Sequence, residues 1–207
     1  MKVLLTGFEP FGGDTVNESW EAVRGVPSRI GPEVEVVTAC LPVTFAGAAA
    51  ECRHLLDRHA PDAVIAVGLA AGTDVIRLER VAVNVVDARI PDNDGLAPVD
   101  VPVVPGGPAA YFSTLPLKAS LTALRDVGLP VAVSNTAGTY VCNALFYELQ
   151  HALAERSGVP SGFVHVPRAE VVDGTAAAEG LRVVVEATAR VARGDAAEPR
   201  TPAGLEH

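Results

Sequence analysis

The chain has 207 residues, 49% of them apolar, which is enough to bury a sizeable hydrophobic core in one domain or two small ones. It carries 16 basic and 25 acidic side chains, and a net charge of -9 repels phosphate backbones, so no nucleic-acid partner is expected. Its apolar stretches fall short of the roughly 18 residues that a membrane helix requires, so we expect no membrane association.

Six short runs rich in valine, isoleucine and alanine predict β-strands. Most are continuously apolar rather than alternating, which indicates strands that are covered on both faces, as in a parallel or mixed sheet. The predicted strands are residues 3–6, 34–40, 63–67, 75–86, 131–134 and 163–166.

Four helical patterns lie between and after these strands. Leucines recur at helical spacing in two of them, and Gly128 and Gly158 stand where glycines commonly end helices. Alternation of strands and helices is typical of an α/β fold with helices on both faces of one sheet. The predicted helices are residues 45–59, 117–127, 141–156 and 175–193.

The chain shows no repeat and no linker that would divide it. We therefore expect a single α/β domain over residues 1–204, and we interpret 205–207 as the remnant of an expression tag. Three cysteines are an odd number for a disulfide framework and are typical of a reducing compartment, so the expected location is cytoplasmic.

Cys142 is the most informative single position in the sequence. It opens a predicted helix directly after the small polar loop 134–139, where the helix dipole favours the nucleophilic thiolate. The free N–H groups at this helix end can also hold the oxyanion of an attacked carbonyl. The alternative is an inert buried cysteine, which is how free cysteines usually occur. We interpret Cys40 and Cys52 as core residues of this kind.

His165 and Glu79 are candidate partners for this cysteine. His165 ends the strand that follows the Cys142 helix, so both residues are expected at the carboxyl edge of the sheet, and a Cys–His pair supplies a nucleophile and its base. Glu79 lies in a valine-rich strand, where a carboxylate needs a partner and could orient the histidine. The alternatives are a core histidine and a Glu79 that pairs with Arg77 or Arg80.

Two loops complete the set of candidate features. Residues 6–13 (TGFEPFGG) follow the first strand and lack the glycine spacing of a phosphate-binding loop. Their two phenylalanines are suited to binding a flat neutral group; the alternative is an ordinary tight turn. Residues 91–108 hold five prolines and form either a functional loop or a surface excursion. The sequence contains no motif that predicts a metal site.

The motifs described so far, together with others along the chain, resemble the pyroglutamyl peptidase I family of cysteine peptidases. The matching blocks occur in the family's order and span most of residues 1–168. They are residues 5–13 (LTGFEPFGG) with Asn17, 79–84 (ERVAVN), 87–95 (DARIPDNDG), 107–112 (GPAAYF), 134–143 (SNTAGTYVCN) and 162–167 (GFVHVP).

This resemblance implies a cysteine exopeptidase that removes an N-terminal pyroglutamyl residue from peptides. By position, Cys142 is the nucleophile, His165 the base and Glu79 its orienter. The resemblance further implies a single-domain three-layer α/β/α sandwich with a mostly parallel central sheet, no metal or organic cofactor, and a homotetramer. The implied substrate-binding residues are Phe8 and Phe11 on either side of the pyrrolidone ring, Asn17 near the ring, and Arg89 near the reacting centre.

Two other functions stay open at this point. The chain departs from the family pattern at Leu69, Ala71–Thr73 and Arg168–Glu170, and the last two regions support a non-catalytic pyroglutamyl-peptide binder as an alternative. A nucleoside phosphorylase-like or hydrolase-like enzyme on a related layered fold would need a phosphate or ribose site, for which the glycine-rich loop offers no obvious cation.

Overall fold

The computed structural model describes residues 1–156 and 158–204. Its helices are α1 (Glu18–Gly25), α2 (Phe45–His59), α3 (Leu117–Asp126), α4 (Val141–Leu153) and α5 (Gly174–Ala192). Its strands are β1 (Lys2–Phe8), β2 (Arg29–Ile30), β3 (Val34–Leu41), β4 (Ala63–Leu69), β5 (Ile76–Glu79), β6 (Val81–Val83), β7 (Ala110–Phe112), β8 (Val131–Ser134) and β9 (Ser161–Val166).

Seven strands form the main sheet in the order β2-β3-β1-β4-β9-β5-β8. The neighbours β3-β1, β1-β4, β4-β9 and β5-β8 are parallel, whereas β2-β3 and β9-β5 are antiparallel. The predicted α/β fold with a mostly parallel central sheet is confirmed.

Helices cover both faces of this sheet, which gives the three layers. One face packs against α1, α3 and α5 through side chains such as Val164 and Leu181. The opposite face packs against α2 and α4 through side chains such as Leu4 and Phe146. Strands β1, β4 and β9 are almost fully buried, which explains why their sequences are continuously apolar.

The predicted strand over residues 75–86 is wrong as a single strand. The chain leaves the main sheet at Arg80: its N–H still donates to the carbonyl of Ser134 on β8, whereas its carbonyl accepts from the Ser113 N–H. β6 then pairs with β7 in a separate two-stranded sheet. This break turns the loop 84–109 onto the layer that contains α4.

Helix α1 was not predicted from the sequence, since its buried side chains are mostly small, although Asn17 caps it by accepting from the Ser19 N–H. In the part of the chain that the structure describes, no helix is both long and apolar enough to cross a membrane. The proposed tag remnant at 205–207 lies outside the described residues, and the domain bounds 1–204 stay a prediction.

Candidate active site

His165 and Glu79 form a buried pair on neighbouring strands. Nδ1 of His165 lies 2.8 Å from Oε1 of Glu79, and because a carboxylate only accepts, we assign the Nδ1 proton to the histidine. Glu79 is fully buried and His165 is 5% exposed, so this hydrogen bond is shielded from water. The expected alternative partners lie elsewhere, since Arg77 donates to Thr73 and Arg80 to the Ala203 carbonyl.

The thiol of Cys142 reaches the same histidine. Both residues line the same cavity, and with Nδ1 bound to Glu79, Nε2 of His165 is the ring nitrogen left to interact with the thiol. The sulfur lies over Gly68 of β4, where an added Cβ would come within 2.8 Å of Sγ. Because glycine has no Cβ, this position leaves space for the Cys142 thiol beside the imidazole.

The prediction that Cys142 and His165 meet because their strands end at the same edge of the sheet is wrong. β8, which precedes Cys142, is parallel to β5, and β5 is antiparallel to β9, so β8 and β9 end at opposite edges of the sheet. Cys142 instead approaches across the face of the sheet. The loop before α4 crosses that face and is fixed to residues 87–91, where Thr139 bonds Asp87 and the Tyr140 hydroxyl donates to Pro91.

The start of α4 is rigidly held. The fully buried side chain of Asn143 accepts from the Val83 N–H and donates to the carbonyls of Val83 and Val85, all within 2.9–3.0 Å. No side chain caps the helix at Tyr140, so the first N–H groups of α4, including that of Cys142, are available to a ligand. Free N–H groups at the start of a helix attract negative charge.

Electrostatics of the pair favour a charged imidazole. Burial alone lowers the pKa of His165, but the hydrogen bonds to Cys142 and Glu79 and their negative charges outweigh it and raise the pKa from 6.5 to about 9. At neutral pH the structure therefore favours an imidazolium, which Glu79 holds at Nδ1 and which has Cys142 on its other side.

A cavity of about 310 Å³ opens beside Cys142 and His165. Its volume lies near the lower end of the range for small-molecule sites, and its walls are mainly aromatic and aliphatic. The other lining residues are Phe8, Phe11, Asn17, Val43, Leu69, Ala70, Arg77, Thr136, Ala137, Gly138, Tyr140 and Val141.

Three of the residues expected to bind substrate line this cavity. Phe8 is buried, and the half-buried ring of Phe11 lies 6.3 Å from that of Tyr140. The Asn17 side chain bonds Ser19 and the Glu9 carbonyl, so it holds α1 and the glycine-rich loop together. Asn17 thus shapes the cavity wall through contacts that are internal to the protein.

Arg89 lies apart from the other three. It is exposed and lines a neighbouring cavity with Asp87, Ile90 and Thr139, and Tyr140 is the one residue that lines both cavities. The role expected for Arg89 near the reacting centre stays a prediction.

The other two cysteines differ from Cys142. Cys52 is buried as predicted, and burial raises its pKa to about 12. The core prediction for Cys40 is wrong, because this residue lies near the end of β3 with its side chain exposed. Among the described residues no group of three or more His, Cys, Asp or Glu side chains could hold a metal ion.

Comparison with known proteins agrees with the geometry. The family model described as pyroglutamyl peptidase matches residues 1–189. The chain belongs to the pyroglutamyl peptidase family. The resemblance predicted from the sequence motifs is confirmed.

Relatives within this family are similar over most of their length. The pyrrolidone-carboxylate peptidase of Clavibacter michiganensis is 56% identical over 165 residues, which are 80% of this chain and 78% of the relative. The solved pyrrolidone carboxyl peptidase of Thermococcus litoralis superposes with a TM-score of 0.91 at 34% identity, covering 97% of this chain and 99% of the other. Pyroglutamyl peptidase I of Bacillus amyloliquefaciens gives 0.86 at 41% identity, covering 91% and 96%.

Sequence reasoning missed several residues that line this cavity. Val43 follows the carboxyl end of β3, a position that the rule on sheet edges could have found. Tyr140 was named only within a motif, and Arg77 only as a possible partner for Glu79. Neither residue carried a local signal, because Tyr140 reaches the cavity through the crossing of the loop before α4 and Arg77 through the antiparallel pairing of β5 with β9.

Proposed function

We propose that this chain is a cysteine exopeptidase that hydrolyses the amide bond after an N-terminal pyroglutamyl residue of peptides. The observation that carries the proposal is the position of Cys142 beside a buried, hydrogen-bonded His165–Glu79 pair at the wall of a mostly apolar cavity. Membership of the pyroglutamyl peptidase family supports it independently. It also weighs against the nucleoside phosphorylase-like alternative.

In the acylation step, the Cys142 thiolate attacks the pyroglutamyl carbonyl carbon, forming a C–S bond and an oxyanion. The N–H groups at the start of α4 stabilise this oxyanion. The proton on Nε2 of His165 passes to the amide nitrogen, the C–N bond breaks, and the shortened peptide leaves as an amine. A thioester on Cys142 remains.

In the deacylation step, the now neutral Nε2 of His165 takes a proton from water as the water oxygen attacks the thioester carbon. The C–S bond breaks, and pyroglutamate leaves with the thiolate and imidazolium restored. Glu79 keeps its hydrogen bond to Nδ1 throughout, so it orients the ring and stabilises its positive charge without being protonated.

The proposed substrate contacts follow from the chemistry of pyroglutamate. This residue is a neutral lactam, so its site needs apolar walls and a few hydrogen bonds rather than a carboxylate for a free amino terminus. Phe8 and Phe11 are the proposed walls for the ring, with Asn17 holding the loop between them and α1. A prolyl residue fits the same walls but lacks the ring carbonyl, so a donor in the site would be left unpaired.

The proposed chemistry needs no metal or organic cofactor, because the nucleophile, base and oxyanion site are all protein groups. The proposed setting is cytoplasmic, where a free thiol stays reduced. The proposed partners are small pyroglutamyl peptides and further copies of this chain in a homo-oligomer, the family resemblance implying a tetramer. Exposed apolar side chains at Leu96, Val99, Val101 and Phe112 support self-association.

The test is the release of a fluorescent amine from a pyroglutamyl amide, measured beside the matching prolyl amide. The proposal expects turnover of the pyroglutamyl compound with at least about a hundredfold preference over the prolyl one, since polar mismatches discriminate strongly. Turnover should disappear after treatment with iodoacetamide. A pyroglutamyl ligand that raises the melting temperature without any turnover would instead identify the non-catalytic binder.

A further inference from the structure

Arg77 faces the catalytic cavity from the strand next to His165. The two residues are directly paired in the antiparallel ladder between β5 and β9. Ile76 and Leu78, its neighbours along β5, pack into the core on the side of α1, α3 and α5. Since side chains alternate along a strand, Arg77 lies on the opposite face with Glu79, the face that carries Cys142 and the cavity.

The guanidinium of Arg77 has free hydrogen-bonding capacity. Its Nε donates to Thr73 Oγ1 at 2.9 Å, which fixes the side chain, but its two terminal nitrogens bond no carboxylate within the described residues. Arg53, Arg168 and Arg182 of the same chain all form ion pairs. A half-buried guanidinium held in place without an anion is suited to bind one from a ligand.

Sheet order places Arg77 on one side of His165 and the ring walls on the other. Phe8 is on β1, which is separated from β9 by β4, whereas Arg77 is on β5, directly beyond β9. Neighbouring strands lie about 4.8 Å apart, so Phe8 and the Arg77 guanidinium lie in opposite halves of the cavity. A pyroglutamyl ring seated by Phe8, with its carbonyl at Cys142, leaves the following residue on the Arg77 side.

We propose that Arg77 is a specificity-determining residue that binds a carboxylate on the residue after pyroglutamate, so that acidic substrates are preferred. This inference rests on the proposed function of the same site. The carboxylate can come from an aspartate or glutamate side chain or from the terminus of a dipeptide. A planar guanidinium with two free nitrogens suits either source, because it pairs with a carboxylate through two parallel hydrogen bonds.

The experiment compares kcat/KM for three substrates: pyroglutamyl-glutamate amide, pyroglutamyl-glutamine amide, and pyroglutamyl-glutamine with a free carboxyl terminus. The first and third each add one carboxylate to the neutral second compound, at the side chain and the terminus respectively. The wild type should prefer one or both by about tenfold, the size of one charge-assisted hydrogen bond in a half-exposed site. Arg77→Gln should bring that ratio close to one, and Arg77→Lys should keep part of it.

Arg80→Gln is the matched control. Arg80 is a similarly half-buried arginine three residues away, it does not line the cavity, and its substitution should leave the preference intact. Should Arg77→Gln fail to fold, salt provides a second test on the wild type, because a charge-based preference shrinks between 0.05 and roughly 1 M NaCl.

The outcomes separate the inference from the function on which it rests. A wild type that cleaves the neutral amide at least as well as both acidic compounds overturns the role of Arg77 alone. A preference that survives in Arg77→Gln does the same and leaves Arg77 with only a structural contact to Thr73. If the wild type cleaves none of the three compounds, it is the proposed peptidase function that fails.

Discussion

Replacing Glu79 with glutamine tests how much the buried carboxylate contributes through His165. The substitution keeps the volume of the side chain, which is fully buried, and keeps an oxygen that can accept from Nδ1 at 2.8 Å. It removes the negative charge, which is one of the causes that raise the pKa of His165 to about 9. The pKa of His165 in Glu79→Gln should therefore lie lower.

The expected loss of activity is moderate. A hydrogen bond to a charged group is worth about 2 kcal/mol, so kcat/KM should fall about thirtyfold. His165→Ala should lose far more, because it removes the proton donor for the leaving amine. The alkaline fall of kcat/KM should also begin at a lower pH in Glu79→Gln, since the imidazolium loses its proton earlier.

The assay is hydrolysis of a pyroglutamyl amide from pH 5.5 to 10, combined with the rate of alkylation by iodoacetamide at pH 7. Alkylation reports thiolate without substrate and should be slower in the variant. Glu148→Gln is the matched control. Glu148 is a carboxylate on α4 that does not line the cavity, and it accepts a hydrogen bond of 2.9 Å from Arg53. An unchanged rate and pH profile in Glu79→Gln, with only lower stability, would refute the role assigned to Glu79.

Three further predictions concern stability and packing. Because the pKa of His165 is raised from 6.5 to about 9, its stabilising contribution is complete below pH 6.5 and is lost as the pH rises through 9. Urea unfolding should show the wild type losing stability relative to His165→Gln across that window, and a constant difference would contradict this. Gly68→Ala should lower the free energy of unfolding by about 1–3 kcal/mol and slow the alkylation of Cys142, since the new methyl lies 2.8 Å from its Sγ. Gly72→Ala, where the new methyl has no neighbour within 4 Å, should change neither quantity appreciably. Asn17→Ala should lower the free energy of unfolding by about 1 kcal/mol through the lost helix cap and raise KM; an unchanged KM would show that the loop keeps its place without Asn17.

The helices and buried strands could be predicted where local chemistry alone decides them. α2 was predicted with its observed bounds, and α3 ends one residue earlier than predicted, before Gly128 with its φ of 78°. These limits depend on spacing and on a glycine that adopts the left-handed conformation. α1 was missed because a helix that buries Ser19, Ala22 and Val23 has little apolar periodicity.

Strand direction and the route of the loop before α4 could not be read from the sequence. Apolar runs show that a strand is buried, but they do not show which way it runs relative to its neighbours. The reversal at β5 and β8 decides how Cys142 reaches His165, and it also brings Arg77 to the cavity. The candidate residues Cys142, His165 and Glu79 could therefore be predicted by type and motif. The path that assembles them, and cavity residues such as Arg77 and Tyr140, depend on tertiary packing.

The most direct test of the central claim is to trap the acyl group on the protein. The wild type is quenched in acid during turnover of a pyroglutamyl ester and then digested with a protease. The masses of the cysteine-containing peptides are measured by mass spectrometry. We predict a pyroglutamyl group on Cys142, none on Cys40 or Cys52, and no labelling or turnover in a Cys142→Ala variant that still folds. Turnover that persists in Cys142→Ala, or an acyl group found on another residue, would contradict it.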